Sequence, residues 1–80
     1  MAKKVVTREE LERILLDDFR KAGAKEGATI NVQELKSSID GANWRVESWT
    51  PGMTPNDLGL VVIPQIEKHR RVEYDIIPGS

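Results

Sequence analysis

Eighty residues form a chain too short to divide into two hydrophobic cores, and its 12 basic and 13 acidic residues give no net positive charge of the kind that nucleic-acid binding usually needs. The absence of cysteine excludes a disulfide framework, a thiolate metal site and a thiol nucleophile. A composition that is 39% hydrophobic and 31% charged is typical of a globular chain. We therefore expect one small globular domain over residues 1–80, with frayed termini at residues 1–6 and 78–80.

Neither the start of the chain nor its most apolar run suggests a membrane. The opening MAKKVVTREE begins with basic residues, but the apolar segment that follows them in a secretory signal is absent. The longest apolar run is LGLVVI, far below the roughly 20 residues of a membrane-spanning helix. We expect a cytoplasmic protein that makes no membrane contact.

One local pattern occurs three times and predicts three helix starts. In VTREEL, INVQEL and MTPNDL, a capping residue is followed three positions later by an acidic residue, and apolar residues flank the pair as a hydrophobic staple. The predicted cap pairs are Thr7 with Glu10, Asn31 with Glu34, and Thr54 with Asp57.

The first two starts predict two helices in the first half of the chain. The first helix should extend from about Arg8 to Ala22, because apolar residues recur on one face at helical spacing and Gly23 is a suitable terminating residue. The second should be short, from Val32 to Ile39, and end at Asp40 and Gly41.

The segment NWRVESW alternates and predicts a strand. Trp44 and Val46 should face one side, and Trp49 the opposite side. After it, the third cap pattern favours a helix from Pro55 that contains Pro64, with an inward face formed by Leu58, Val61, Val62 and Ile66. The alternative is that residues 58–63 form a strand, paired with residues 43–49 in a hairpin and followed by a C-terminal helix.

The final segment VEYDII alternates again and predicts a closing strand. The expected fold class is α+β with the order α-α-β-α-β, in which a right-handed crossover makes the two strands parallel. A two-stranded sheet is a weak unit by itself and leaves open edges, so we expect a homodimer.

The only dense basic cluster in the second half of the chain is KHRR, residues 68–71. On a helical wheel its charges surround the helix and do not form one stripe, and basic residues in a last turn are favoured by the helix dipole. We therefore interpret KHRR as a helix end. The alternative is a winged-helix-like regulatory protein that binds nucleic acid through Lys36, Arg45, Arg70 and Arg71.

No catalytic residue, metal ligand or cofactor is predicted. His69 is the only histidine and falls on the predicted apolar face of its helix, as a hydrogen-bonded core residue would. Asp18 lies on the side of the first helix that should face the core, so its carboxylate needs a hydrogen-bond donor. The expected donor is a helix terminus or a tryptophan indole N–H. The third hypothesis is an enzyme that uses His69 with Asp18.

Four apolar residues have no place in the predicted monomer core: Trp49, Leu60, Ile63 and Ile77. Trp49 leads the group, because tryptophan is common at the centre of binding surfaces. Together these residues could form an exposed patch that marks a partner surface. We expect a small, non-catalytic interaction module that binds a protein partner or itself through the surface around Trp49.

Overall fold

The computed structural model describes residues 3–35 and 42–79, and it contains two helices and four strands. The elements follow in the order β1 (Lys4–Val6), α1 (Arg8–Lys21), β2 (Thr29–Glu34), β3 (Trp44–Thr50), α2 (Asn56–Arg71) and β4 (Tyr74–Ile76). The predicted α+β class is confirmed. The predicted order α-α-β-α-β is wrong, since the order is β-α-β-β-α-β.

The four strands form two separate two-stranded sheets. β2 and β3 pair as an antiparallel hairpin, whereas β1 and β4 pair in parallel. The expected parallel pairing of β4 with the NWRVESW strand is therefore wrong, and so is the expected fraying of residues 4–6. Val6 lies opposite Ile76 in the parallel pair and both are buried, so burial of these two side chains explains why the two ends of the chain meet.

The largest correction concerns the predicted helix from Val32 to Ile39, whose first residues belong to β2. Ile30 and Val32 are buried while Asn31 and Gln33 are exposed, which is the two-residue period of a strand with one face on a core. Asn31 is therefore a strand residue and caps no helix. Residues 36–39 of the predicted helix lie outside the described part of the chain.

α1 agrees with its prediction. The Thr7 Oγ1 atom accepts a hydrogen bond from the Glu10 backbone N–H at 3.1 Å, and the helix ends at the C-cap Ala22. Its inward face is formed by Leu11, Leu15 and Phe19, all fully buried. Local capping and helical spacing agree with tertiary burial here.

α2 is the helix that the third cap pattern favoured, so the alternative hairpin of residues 43–49 and 58–63 is wrong. Pro64 lies inside it, although proline removes one intrahelical hydrogen bond. The inward face, however, is rotated from the predicted one: Gly59 and Ile63 are buried, and Val61 is exposed. Ile63 therefore belongs to the core, contrary to expectation.

The cap assignment at this helix is also wrong by one position. Pro55 is the N-cap residue and makes no side-chain cap, while the Thr54 hydroxyl accepts a hydrogen bond from the Lys25 backbone N–H at 2.7 Å. Thr54 is buried, so its hydroxyl joins the loop after α1 to the loop before α2.

Replacing Thr54 with alanine should lower the free energy of unfolding by about 1 kcal/mol, because the part-buried Lys25 amide loses its acceptor. Thr54→Ser keeps the hydroxyl and should lose less than half as much. Urea titrations of the three proteins, followed by circular dichroism, measure both differences. Equal losses for alanine and serine would mean that the methyl group matters and the hydrogen bond does not.

Asn43 and Trp44 connect the two sheets. The Asn43 side-chain amide accepts from the Ile76 N–H at 2.9 Å and donates to the Ile76 carbonyl at 2.8 Å. The Trp44 indole N–H donates to the Tyr74 carbonyl at 3.0 Å. These side chains thus satisfy the edge of β4 that faces away from β1, and the hairpin and the parallel pair become one structure.

Candidate interaction surface

The structure separates the four residues predicted to form an interaction patch. Leu60 and Ile77 are exposed, at 66% and 44% of their surface, whereas Ile63 is only 4% exposed and lies in the core. Trp49 is half-buried and packs against the core residues. The expected patch around Trp49 is thus divided between surface and interior.

A β-bulge explains why Trp49 turns inward. β2 residues Asn31 and Val32 are consecutive, but their partners on β3 are Ser48 and Val46, so Glu47 is an extra residue between the two pairs. The extra residue reverses the alternation, and Trp49 therefore returns to the face of Val46. The prediction that Trp49 lies opposite Trp44 is wrong for this reason.

Trp49 fixes α2 against the hairpin. Its ring meets the Phe19 ring edge-on, with centroids 6.1 Å apart and planes at 83°. It also lies directly on Gly59 of α2, where a Cβ atom would overlap the indole ring. Gly59 therefore allows close approach of α2, and Trp49 is a packing residue on the inner side of this helix.

The outward face of α2 carries the exposed apolar side chains instead. Leu60 and Val61 are 66% and 60% exposed, and the ring of Pro64 is exposed one turn further on. Asp57 and Lys68, also exposed, lie one turn before and one turn after them. We call Asp57, Leu60, Val61, Pro64 and Lys68 the outer stripe of α2. At about 100° per residue, Asp57, Val61, Pro64 and Lys68 fall within an arc of roughly 60°, with Leu60 beside it.

Carboxylates from both helices hold the β2–β3 hairpin in place. Val32 and Val46 are paired, and their backbone N–H groups donate to Glu12 of α1 at 2.8 Å and to Glu67 of α2 at 2.6 Å. Both hairpin edges are therefore covered at this position. This contact weakens the expectation of a dimer formed through open sheet edges, and it holds α2 in a defined position.

The end of α2 is held by an ion pair between Arg70 and Asp18. The Arg70 Nε and Nη2 atoms lie 2.7 and 2.9 Å from the two Asp18 carboxylate oxygens, and each side chain is about four-fifths buried, with 22% and 18% exposed. The Arg70 Nη1 atom donates to Glu73 at 3.0 Å, and the guanidinium lies 5.7 Å from the centroid of the Tyr74 ring. The hydrogen bond with Asp18 raises the pKa of Arg70, so this side chain stays charged at any ordinary pH.

This geometry answers two expectations from the sequence. The donor to Asp18 is Arg70, and not a helix terminus or an indole N–H as predicted. KHRR does form the last turn of α2, as expected of a helix end. Asp18, Arg70 and Tyr74 line an open cleft of about 410 Å³ with Arg13, Ile14 and Asp17, and the two partly buried charges within it compensate each other.

The remaining predicted polar residues are dispersed. His69 is an exposed side chain whose Nε2 atom lies 3.4 Å from Glu73, so its predicted place on the apolar face is wrong. The Arg45 Nε atom donates to Gln33 at 3.0 Å on the solvent face of the hairpin, and Lys36 lies outside the described residues. Within residues 3–35 and 42–79, no group of three or more acidic or histidine side chains could hold a metal ion. In the same part of the chain, neither helix is long and apolar enough to cross a membrane.

No protein-family model, curated protein or solved structure matches this chain.

Sequence reasoning missed Val61 and Pro64 as surface residues, because the apolar pattern of α2 was aligned on Leu58. One signal could have found them. Gly59, Ile63 and Arg70 lie near one face at helical spacing, and a glycine in mid-helix often marks a close approach of another element.

Proposed function

We propose that this chain is a small, non-catalytic interaction module that binds a protein partner, or a second copy of itself, through the outer stripe of α2. One observation carries the proposal: Leu60, Val61 and Pro64 form an adjacent apolar group on the solvent side of a helix whose other side is packed into the core. Burial of exposed apolar surface is the main favourable term in protein association.

The support for nucleic-acid binding is poorer. Arg70 is engaged by Asp18 and Glu73, and Arg45 donates to Gln33, so neither guanidinium is held ready for a phosphate. The whole chain has a net charge of −1. The lack of cysteine is compatible with a reducing compartment, and we place the module in the cytoplasm.

Affinity capture from the source cells tests this proposal. The immobilised chain is compared with a variant that carries Leu60→Gln and Val61→Gln, since glutamine is a good helix former and removes the apolar surface. The matched control carries Val5→Gln and Val72→Gln, which remove two exposed apolar side chains outside the outer stripe.

We expect a bound protein, either foreign or the untagged chain itself, to be retained by the wild type and the control and lost from the outer-stripe variant. With the purified partner, calorimetry should show at least a tenfold loss of affinity, roughly 1.4 kcal/mol, for the outer-stripe variant only. Equal retention by all three proteins would overturn the proposal.

A further inference from the structure

The outer stripe of α2 has opposite charges at its two ends. Asp57 lies in the first turn, Lys68 lies in the last turn, and the apolar residues Val61 and Pro64 lie between them. Neither Asp57 nor Lys68 belongs to an ion pair within the described residues. These two charges are therefore available to a partner.

Four of the five residues of the outer stripe are placed symmetrically about a centre between residues 62 and 63. Asp57 and Lys68 are equally far from that centre, and so are Val61 and Pro64. When two such helices pack antiparallel about a two-fold axis, Asp57 faces Lys68 of the second copy twice over, and Val61 faces Pro64 of the second copy.

We propose that the outer stripe is a self-complementary docking surface and that its partner is the α2 helix of a second copy of this chain, packed antiparallel. The inference rests on the proposed function, because it names the partner for the same surface. Charge decides the orientation: a parallel pair would place Asp57 against Asp57 and Lys68 against Lys68, and like charges at such short distances repel.

The size of the surface sets the expected affinity. A standard interface buries about 800 Å² on each partner, and a group of three exposed apolar side chains falls below that area. We therefore expect a reversible dimer with a dissociation constant of the order of 100 µM, weakened by added salt because its two ion pairs are at the rim.

Charge reversal tests both the partner and its orientation. Sedimentation equilibrium from about 10 µM to 1 mM is measured at low salt for the wild type, Asp57→Lys, Lys68→Asp, and the double variant Asp57→Lys with Lys68→Asp. In the antiparallel dimer of each single variant, positions 57 and 68 carry the same charge and face each other at both ends of the interface. Its association should therefore weaken at least tenfold. The double variant exchanges the charges and should recover most of the association.

An equimolar mixture of the two single variants tests most directly whether opposite charges pair across the interface. In the antiparallel arrangement, all charges of one variant face opposite charges of the other, so the mixture should form a heterodimer although each variant alone associates at least tenfold more weakly than the wild type. Folding is controlled within the same experiment, because the proteins that fail to associate alone must associate when mixed. Far-UV circular dichroism checks each variant separately.

Several results would overturn the inference. These are a constant monomer mass for the wild type up to 1 mM, single variants that dimerise like the wild type, or a mixture that stays monomeric. If the wild type is monomeric but the Leu60→Gln and Val61→Gln variant still loses a captured foreign protein, the self-docking inference fails and the proposed function stands. If that variant retains the captured protein as the wild type does, the proposed function fails as well.

Discussion

Replacing Trp44 with alanine should lower the free energy of unfolding by about 4 kcal/mol. Trp44 is the largest fully buried side chain in the described structure, and its removal leaves a cavity between the hairpin and the parallel pair. It also removes the indole N–H that donates to the Tyr74 carbonyl. Because a domain of this length has a total stability of roughly 4–12 kcal/mol, the variant should be partly unfolded at 37 °C.

Trp44→Phe separates packing from the hydrogen bond. Phenylalanine keeps most of the apolar volume but has no indole N–H, so we expect a loss of about 1–2 kcal/mol, largely from the unpaired carbonyl. Guanidinium titrations followed by circular dichroism measure both variants, and the fluorescence of the remaining Trp49 reports independently on the contact between α2 and β3. A loss below about 2 kcal/mol for the alanine variant would contradict the central place of Trp44.

Replacing Asp18 with alanine should lower the free energy of unfolding by about 3 kcal/mol, because it leaves the Arg70 guanidinium partly buried without its main acceptor. Asp17→Ala is the matched control on the neighbouring residue. Asp17 pairs with Lys21 at 3.1 Å, but both side chains are mainly exposed, so this loss should stay below about 0.5 kcal/mol.

A double variant tests whether the loss of stability comes from the uncompensated charge on Arg70. Arg70→Met keeps the apolar stem and removes the charge, so Asp18→Ala with Arg70→Met should be at least 1 kcal/mol more stable than the sum of the single losses predicts. Thermal and urea unfolding of the four proteins complete the cycle. Additive losses would show that Asp18 and Arg70 act independently, which the two short contacts between them argue against.

The first helix shows what local sequence can specify. The Thr7 cap, the apolar spacing of α1 and the end at Ala22 all depend on residues within one or two turns of one another, and each was predicted correctly. The helical state of α2 is confirmed too, although the Thr54 cap on which it was predicted is not formed. Short-range hydrogen bonds and side-chain spacing are properties of the segment, so they are visible before the fold is known.

β2 shows where the same evidence fails. INVQEL contains a cap pattern and a strand pattern, and isolated residues give no reason to prefer one. Pairing with β3 makes this segment a strand and not a helix, because it buries Ile30 against Trp49 and Val32 against Val46. Such long-range pairing routinely overrides the preference of a short segment.

The tertiary structure also decided which side of α2 carries the outer stripe. The positions that face inward include Gly59 and Arg70, which no count of apolar residues would place there. Gly59 is inward because Trp49 lies against its backbone, and Arg70 is inward because Asp18 compensates its charge. The outward rotation of Leu60, Val61 and Pro64, and with it the candidate surface, follows from these two contacts.

The sequence by itself therefore determined the α+β class, the extent of α1, the helical state of α2 and a strand predicted at residues 43–49 and found at Trp44–Thr50, because side-chain spacing acts within a few residues. Only the tertiary structure decided that β1 pairs with β4, that Glu47 bulges and turns Trp49 inward, and which face of α2 meets solvent. The physical reason is that these three features depend on contacts between residues at least ten positions apart, which the sequence of a short segment cannot specify.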